Sequence, residues 1–305
     1  MSEILDPEDY LRLHSPPTNF EEAQAKINEF IKLWSDKDKK IALVTSGGTT
    51  VPLENNTVRF IDNFSAENDY CVIFMHRQFS LQPYSRHFSH STNCFLDYLN
   101  FNNEYGSIEA DSRYDSEMKE VLIKYQKTKK EGTLLSITFV TVTDYLYLLT
   151  FVSKALDKLK ERALFYLAAA VSDFFIHPKA MSEHKIQSNS GDLQILMSKV
   201  PKFLKPLVHQ WAPKAYIVSF KLETDPELLI PKARQSLKQY GHQLVIANLL
   251  NTRKKEVWFV YPTESDGYKH IYLESENPAL GEIEMVFLPI LVETHDKYIK
   301  GLSLK

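Results

Sequence analysis

The sequence predicts an α/β fold with a mainly parallel sheet flanked by helices. Short apolar runs of strand length alternate along the chain with longer segments of helical periodicity. This alternation is typical of a sheet whose successive strands are joined by helical crossovers. The length of 305 residues and the hydrophobic content of 44% permit one large core. We therefore expect a single domain over residues 1–305, with a polar excursion near residues 100–130.

The first predicted element is an amphipathic helix over residues 20–34. Thr18 and Glu21 form a capping-box pattern ahead of it, and apolar residues then recur at helical spacing. The apolar run at residues 40–46 predicts a buried strand that ends in a turn at Gly47 and Gly48. Further strands are expected at 70–75, 134–141, 163–170, 216–221, 243–247, 257–261 and 270–273, and further helices at 142–160, 201–211, 226–240 and 283–299.

Composition and charge indicate which kinds of binding partner to expect. A net charge of −3 and a pI near 6.4 give no field that would attract nucleic acid or an acidic membrane, so small molecules are expected instead. Two cysteines are too few for a disulfide framework, which favours a reducing compartment, the cytoplasm. His76, His87, His90 and Cys94 match no standard ligand spacing, so we expect no metal site built from a side-chain cluster.

Polar residues follow several of the predicted strands. In an open α/β sheet, ligands bind outside the carboxyl ends of the strands. The strand at residues 40–46 is followed by Gly47 and Gly48, and the strand that ends near Ala170 is followed by Ser172 and Asp173. We therefore expect the binding site at these turns and at the ends of the strands that contain Lys221 and Asn248.

Sequence segments around these turns together resemble the phosphopantothenate–cysteine ligase family in its stand-alone eukaryotic form. They are residues 43–49 (LVTSGGT) with 58–65 (VRFIDNFS), 168–174 (AAAVSDF), 183–188 (EHKIQS), and 219–224 (SFKLET) with 245–248 (VIAN). The resemblance implies a Rossmann-like fold and a ligase that joins 4'-phosphopantothenate to L-cysteine through an acyl nucleotidylate in coenzyme A biosynthesis. It also implies ATP or CTP as co-substrate, Mg²⁺, and a homodimer.

The resemblance further implies roles for individual residues. Asn63 matches the asparagine that contacts the acyl nucleotidylate, and Lys185 matches the lysine implicated in its turnover. The other matched positions bind nucleotide, namely Gly47, Gly48, Ser65, Asp173, Phe220 and Asn248, or the acid substrate, namely Ala170 and Lys221.

Ordinary structural roles compete with several of these assignments. Asp173 could equally be a helix N-cap, and Gly47 with Gly48 could simply form a turn. Phe220 could be a core residue, Asn63 a turn former and Lys185 a solvated surface group.

One segment departs from the family pattern. After residues 63–65 the family has a turn with glycine and arginine and then a helix of three turns, whereas here four residues lead directly into the strand at Tyr70. We expect this loss to uncover one sheet face, remove part of the phosphate cradle and leave little activity. The alternative function is therefore an impaired homologue or splice form that acts as a binding or dimerisation partner. A nicotinamide-dependent enzyme is disfavoured because no G-x-G-x-x-G follows Ser46.

Overall fold

A computed structural model describes residues 5–49, 70–88, 94–180, 195–262, 267–274 and 282–302. Its strands are β1 Lys40–Ser46, β2 Tyr70–Arg77, β3 Leu99–Asn102, β4 Ser107–Ala110, β5 Leu134–Phe139, β6 Ala163–Leu167, β7 Phe174–Phe175, β8 Ser198–Lys199, β9 Tyr216–Glu223, β10 Leu244–Leu249, β11 Glu256–Val260 and β12 Tyr268–Tyr272. Its longer helices are α1 Pro7–Leu13, α2 Phe20–Ser35, α3 Asp115–Glu131, α4 Val142–Leu156, α5 Pro226–Tyr240 and α6 Ile283–Ile299.

Eight strands form the central sheet, in the order β12-β11-β10-β9-β6-β1-β2-β5. All neighbours from β10 to β5 run parallel, and β11 and β12 add an antiparallel edge. From β1 the chain builds outward through β2 and β5 on one side, then returns to build outward through β6, β9 and β10 on the other. This reversal of strand order places the expected ligand crevice between the ends of β1 and β6. The predicted mainly parallel α/β fold is confirmed.

Helices cover both faces of the sheet because successive strand side chains point to opposite faces. Odd-numbered residues of β1, such as Leu43, pack in a core with α1, α2 and α4. Even-numbered residues, such as Val44, pack in a second core with α6. The helix α5 packs through Leu229, Ala233 and Leu237 against β10. In the described part of the chain, no helix has the length and apolar character needed to cross a membrane.

Some local predictions are wrong. The capping box at Thr18 and Glu21 is not formed, because α2 begins after Asn19 and has no side-chain cap bond. The strand predicted at 163–170 ends at Leu167. The helix predicted at 142–160 changes to a 3-10 segment at Asp157, and the one predicted at 201–211 consists of one short turn followed by a π-helical turn.

The polar segment near residues 100–130 contains the hairpin of β3 and β4 and then α3. This helix lies between β2 and β5, which pair in parallel, so it belongs to their crossover connection. The expectation of an uncovered sheet face is wrong for β2. Its side chains Tyr70, Val72 and Phe74 are at most 1% exposed.

Candidate active site

The turns after β1 and β6 are joined directly at the point where strand order reverses. Gly48 and Ala170 form a parallel bridge. The amide of Ala170 donates to the carbonyl of Gly47 over 2.8 Å, and the amide of Thr49 donates to the carbonyl of Ala170 over 3.0 Å. Because the neighbours of Gly48 make both bonds, the N–H of Gly48 points away from Ala170. The structure thus brings together three of the predicted site residues, Gly47, Gly48 and Ala170.

Two threonines strengthen this junction. The hydroxyl of Thr45 accepts a hydrogen bond from the amide of Ala169 over 3.1 Å, and the hydroxyl of Thr49 accepts one from the amide of Ser172 over 2.9 Å. Side chains therefore fix the β6 turn to β1 on both sides of the bridge. The sequence analysis missed these threonines, since their partners lie more than 120 residues away and no local pattern marks them.

Gly47 is required by both its conformation and its surroundings. Its φ is +81°, in the region that side chains disfavour. A Cβ atom at this position would lie 2.8 Å from the Cβ of Arg77, the last residue of β2. The glycine therefore permits a close approach between the β1 turn and the end of β2, in addition to any contact with a ligand.

Asp173 does not cap a helix. It is followed by the two-residue strand β7 instead, so the N-cap alternative is wrong. Its carbonyl accepts from the amide of Val200 over 2.9 Å, and its carboxylate forms an ion pair of 2.7 Å with Lys202. Both side chains are more than half exposed, so the pair is open to solvent and Asp173 remains accessible to a ligand.

Phe220 and Asn248 lie on one face of neighbouring strands. The register pairs Phe220 with Ile246 and Asn248 with Leu222, and paired residues of parallel strands share a face. The ring of Phe220 meets that of Tyr166 edge to face, with centroids 4.9 Å apart. Phe220 is thus partly a core residue and partly available at the strand end.

Asn248 carries an unsatisfied buried amide. Its side chain is fully buried at the end of β10, and neither its oxygen nor its nitrogen has a hydrogen-bond partner among the described residues. A buried amide without partners is costly, and such exceptions in native proteins call for an explanation. A polar ligand or a water molecule at this strand end would supply one.

Lys221 belongs to an ion cluster on the opposite face of the sheet from Phe220. Its ammonium lies 3.4 Å from one carboxylate oxygen of Glu223, and the ammonium of Lys232 lies 2.8 Å from the other. Burial acts to raise the pKa of Glu223, but the two lysines outweigh it and the pKa is lowered, so the carboxyl is ionised. No local sequence pattern predicts that Lys232 of α5 contacts the end of β9.

His76 lies at the same edge, opposite Ser46 in the register of β1 and β2. It is 1% exposed, and its Nε2 bonds to the hydroxyl of Ser136 over 2.9 Å. Burial lowers the pKa of His76, so the ring is neutral near pH 7. The described residues contain no group of three or more His, Cys, Asp or Glu side chains placed to hold a metal ion.

Asn63, Ser65 and Lys185 lie outside the described residues, as does the shortened connection between Ser65 and Tyr70. Their roles remain predictions. The structure therefore places six of the predicted site residues at the carboxyl edge of the sheet or in the turns that follow, namely Gly47, Gly48, Ala170, Phe220, Lys221 and Asn248, with Asp173 three residues beyond Ala170.

Comparison with known proteins identifies the family. Residues 125–260 match the family model described as DNA/pantothenate metabolism flavoprotein C-terminal domain. The phosphopantothenate–cysteine ligase CAB2 of Saccharomyces cerevisiae is 42% identical over 338 aligned positions, which cover 98% of this chain and 88% of the relative. The phosphopantothenate–cysteine ligase of Homo sapiens is 42% identical over 86% of this chain and 88% of its own length.

Solved structures agree with the sequence comparison. A Cab2 variant in complex with phosphopantothenate-cysteine superposes with a TM-score of 0.83 at 43% identity, covering 96% of this chain and 99% of that one. A DNA/pantothenate metabolism flavoprotein from Streptococcus pneumoniae shares the fold, with a TM-score of 0.53 at 15% identity. On identity and coverage, this chain belongs to the phosphopantothenate–cysteine ligase family.

Proposed function

We propose that this chain is a ligase of coenzyme A biosynthesis that joins the carboxylate of 4'-phosphopantothenate to the amine of L-cysteine. The observation that carries the proposal is the Gly48–Ala170 junction at the reversal of strand order, in a chain 42% identical to ligases of this name. The junction lies where an open α/β sheet binds ligands. No observation favours the alternative function as a binding or dimerisation partner.

The proposed reaction has two stages, because a free carboxylate is a poor electrophile. The carboxylate oxygen of phosphopantothenate first attacks the α-phosphorus of ATP or CTP, and pyrophosphate leaves. The amine of cysteine then attacks the carbonyl carbon of the acyl nucleotidylate. The carbon–oxygen bond breaks, the nucleoside monophosphate leaves and the amine loses a proton. The protein has to hold the reactants in register and stabilise the developing phosphate charge.

We assign the nucleotide to the strand ends and turns at which polar groups can still form hydrogen bonds with a ligand. The N–H of Gly48, which points away from Ala170, is available to a phosphate oxygen. Among the described residues, neither amide atom of Asn248 has a hydrogen-bond partner, so both can contact the sugar or base, and Phe220 offers a ring near it on the same face. The exposed carboxylate of Asp173 can accept from a ribose hydroxyl or a base.

The acid substrate is assigned to the turn at Ala170 and to Lys221. Lys221 has an ammonium that can contact a phosphate oxygen. Asn63 and Lys185, whose roles rest on the family resemblance, are proposed to contact the acyl nucleotidylate and to promote its turnover, and Ser65 to contact the nucleotide.

Mg²⁺ would be held chiefly by the phosphates of the nucleotide. The described residues offer no cluster of three carboxylate, histidine or cysteine side chains, and Mg²⁺ in nucleotide sites commonly binds to one or two carboxylates, water and phosphates. When bound, the ion neutralises phosphate charge, and Asp173 is the accessible carboxylate nearest the junction in sequence.

We also propose a homodimer and one domain. The ribbon of β7 and β8 has only two residues in each strand. Phe174 of β7 is 45% exposed, and Leu196, two residues before β8, is 84% exposed. So short a ribbon is marginal alone, and a second copy would cover these side chains. A single domain is supported by the eight-stranded sheet, which includes both β1 and β12. The two free cysteines, Cys71 and Cys94, favour the cytoplasm.

We propose further that the chain lacks a segment after Ser65. The alignment with the yeast relative extends over 338 positions, more than the 305 residues of this chain, so the relative has residues without a counterpart here. A turn that supplies several phosphate contacts contributes at least about 4 kcal/mol to lowering the barrier, or about a thousandfold in rate.

Product formation tests both proposals. Labelled cysteine, phosphopantothenate, Mg²⁺ and ATP or CTP are incubated with this chain and with a version that carries the relative's segment after Ser65. We expect phosphopantothenoylcysteine from the longer version, and a rate at least about a thousandfold lower from this chain. Absence of product from both would refute the ligase, and equal rates would refute a functional loss from the missing segment.

A further inference from the structure

The end of β9 carries an ion cluster in which one carboxylate joins two lysines from different elements. Glu223 and Lys221 come from the strand, and Lys232 comes from α5. Lys232 Nζ lies 2.8 Å from Oε2 of Glu223, and Lys221 Nζ lies 3.4 Å from Oε1. Each oxygen of the carboxylate therefore faces a different ammonium, and the cluster has a net charge of +1.

Glu223 is the fixed member of this cluster. Its carbonyl accepts a hydrogen bond from the amide of Leu250 over 2.9 Å, which ties the end of β9 to the end of β10. Its side chain is 12% exposed, whereas those of Lys221 and Lys232 are 37% and 40% exposed. The carboxylate is thus the least exposed of the three charged groups, and the two lysine side chains extend from it towards solvent.

The two lysines are not equivalent. Lys232 makes the short contact, a hydrogen bond that spans from helix to strand. Lys221 makes the longer contact, and it lies in register with Ala247, so its side chain is on the sheet face opposite to that of Asn248. An ammonium has three donors, so Lys221 keeps donors for a ligand while it stays beside Glu223.

We propose that Glu223 is a positioning residue that holds the ammonium of Lys221 at the carboxyl edge of the sheet, where it binds a phosphate group of a substrate. This inference rests on the proposed function and deepens it. The phosphate group belongs either to the nucleoside triphosphate or to phosphopantothenate, since both present anionic oxygens. Lys232 steadies the carboxylate and does not contact the substrate.

Glu223 could instead have a purely structural role, in which it holds α5 against β9 through Lys232. The variants would then have different effects on stability and ligand affinity. Loss of the carboxylate would then affect stability and ligand affinity whether or not Lys221 is present. Under the positioning role, the effect on affinity depends on Lys221, because Glu223 acts on the ligand only through that ammonium.

Calorimetry of this chain can separate the two roles. The variants are Glu223→Gln, Lys221→Ala and the double variant, and the probes are ATP with Mg²⁺, CTP with Mg²⁺, phosphopantothenate and pantothenate. We expect Lys221→Ala to weaken binding of one phosphate-bearing probe by at least about tenfold, the effect typical of a lost charged hydrogen bond. Glu223→Gln alone should weaken the same probe about three- to tenfold, and should add nothing in the Lys221→Ala background.

The probe that responds identifies the source of the phosphate. Weaker binding of phosphopantothenate with unchanged binding of pantothenate assigns Lys221 to that substrate, and a response confined to ATP or CTP assigns it to the nucleotide. The matched control is the exposed pair Glu120 and Lys124 of α3, whose ammonium and carboxylate lie 2.8 Å apart. Glu120→Gln and Lys124→Ala should leave every affinity unchanged.

Two results would overturn the inference while leaving the proposed function intact. One is an unchanged affinity for every probe in Glu223→Gln. The other is a loss of affinity on Glu223→Gln that is equal in the natural chain and in Lys221→Ala. If Glu223→Gln does not fold, Lys221→Ala alone still tests the inference. Unchanged affinity for every probe in that variant would show that Lys221 does not contact the ligand. If neither this chain nor the version that carries the relative's segment after Ser65 binds any of the probes, the proposed function and this inference both fail.

Discussion

Replacing Gly47 by alanine tests the geometry of the junction between β1, β2 and β6. At φ +81° a residue with a Cβ pays about 1–2 kcal/mol of backbone strain. The new Cβ would also lie 2.8 Å from the Cβ of Arg77, well inside the contact distance of roughly 3.5–4.0 Å. Relief requires a shift of the buried strand β2, and overpacking of this kind costs about 1–3 kcal/mol. We therefore expect Gly47→Ala to lower the free energy of unfolding by about 2–5 kcal/mol.

Gly132 provides the matched control for this substitution. Its φ is +68°, and a Cβ there would meet no atom within 4 Å, so Gly132→Ala carries the backbone strain without the overlap. Urea unfolding followed by circular dichroism measures both variants. The difference between them, about 1–3 kcal/mol, is the cost of the close approach to Arg77. Equal losses in the two variants would refute the reasoning.

Three further predictions address the site and the core. Asn248→Leu should change the free energy of unfolding by less than about 1 kcal/mol, because its amide has no partner among the described residues, yet weaken nucleotide binding at least about tenfold. A large loss of stability with intact binding would make Asn248 structural. Lys185→Ala, in the version with the restored segment, should let the acyl nucleotidylate accumulate in quenched-flow experiments. Pyrophosphate release that falls as much as product formation would place Lys185 in the first stage instead. Burial lowers the pKa of His295 to about 4, so the unfolded chain takes up its proton first, near pH 6.5, and stability falls as pH drops from there towards 4. Urea unfolding measures the decrease in the free energy of unfolding between pH 7 and pH 5. This decrease should be about 2 kcal/mol smaller in His295→Gln than in the natural chain, and an equal decrease in both would show that His295 is not its source.

The parallel sheet was predictable because several of its strands, such as β1 and β10, are almost fully buried. Runs such as residues 41–44 and 244–247 are continuously apolar, and the structure buries every side chain in them. Strand ends and helix caps were less predictable. Thr18 and Glu21 have the spacing of a capping box, but the helix begins one residue later, at Phe20, and Asn19 takes the cap position without a side-chain bond.

The position of candidate site residues in the fold was predictable where polar turns follow neighbouring strands. Gly47, Gly48 and Ala170 follow strands that topology places side by side. The interactions between distant segments were not predictable. The contact of Lys232 with Glu223 depends on how α5 packs on the sheet, and the close approach of Arg77 to Gly47 depends on the register of β1 and β2.

The most direct test of the proposed function follows an oxygen atom through the reaction. Phosphopantothenate labelled with ¹⁸O in its carboxylate is converted with cysteine, Mg²⁺ and ATP or CTP, and the products are analysed by mass spectrometry. Attack of the carboxylate on the α-phosphorus predicts one ¹⁸O atom in each nucleoside monophosphate released, with unlabelled pyrophosphate. Label in inorganic phosphate, with a nucleoside diphosphate as the other product, would show attack on the γ-phosphorus and contradict an acyl nucleotidylate.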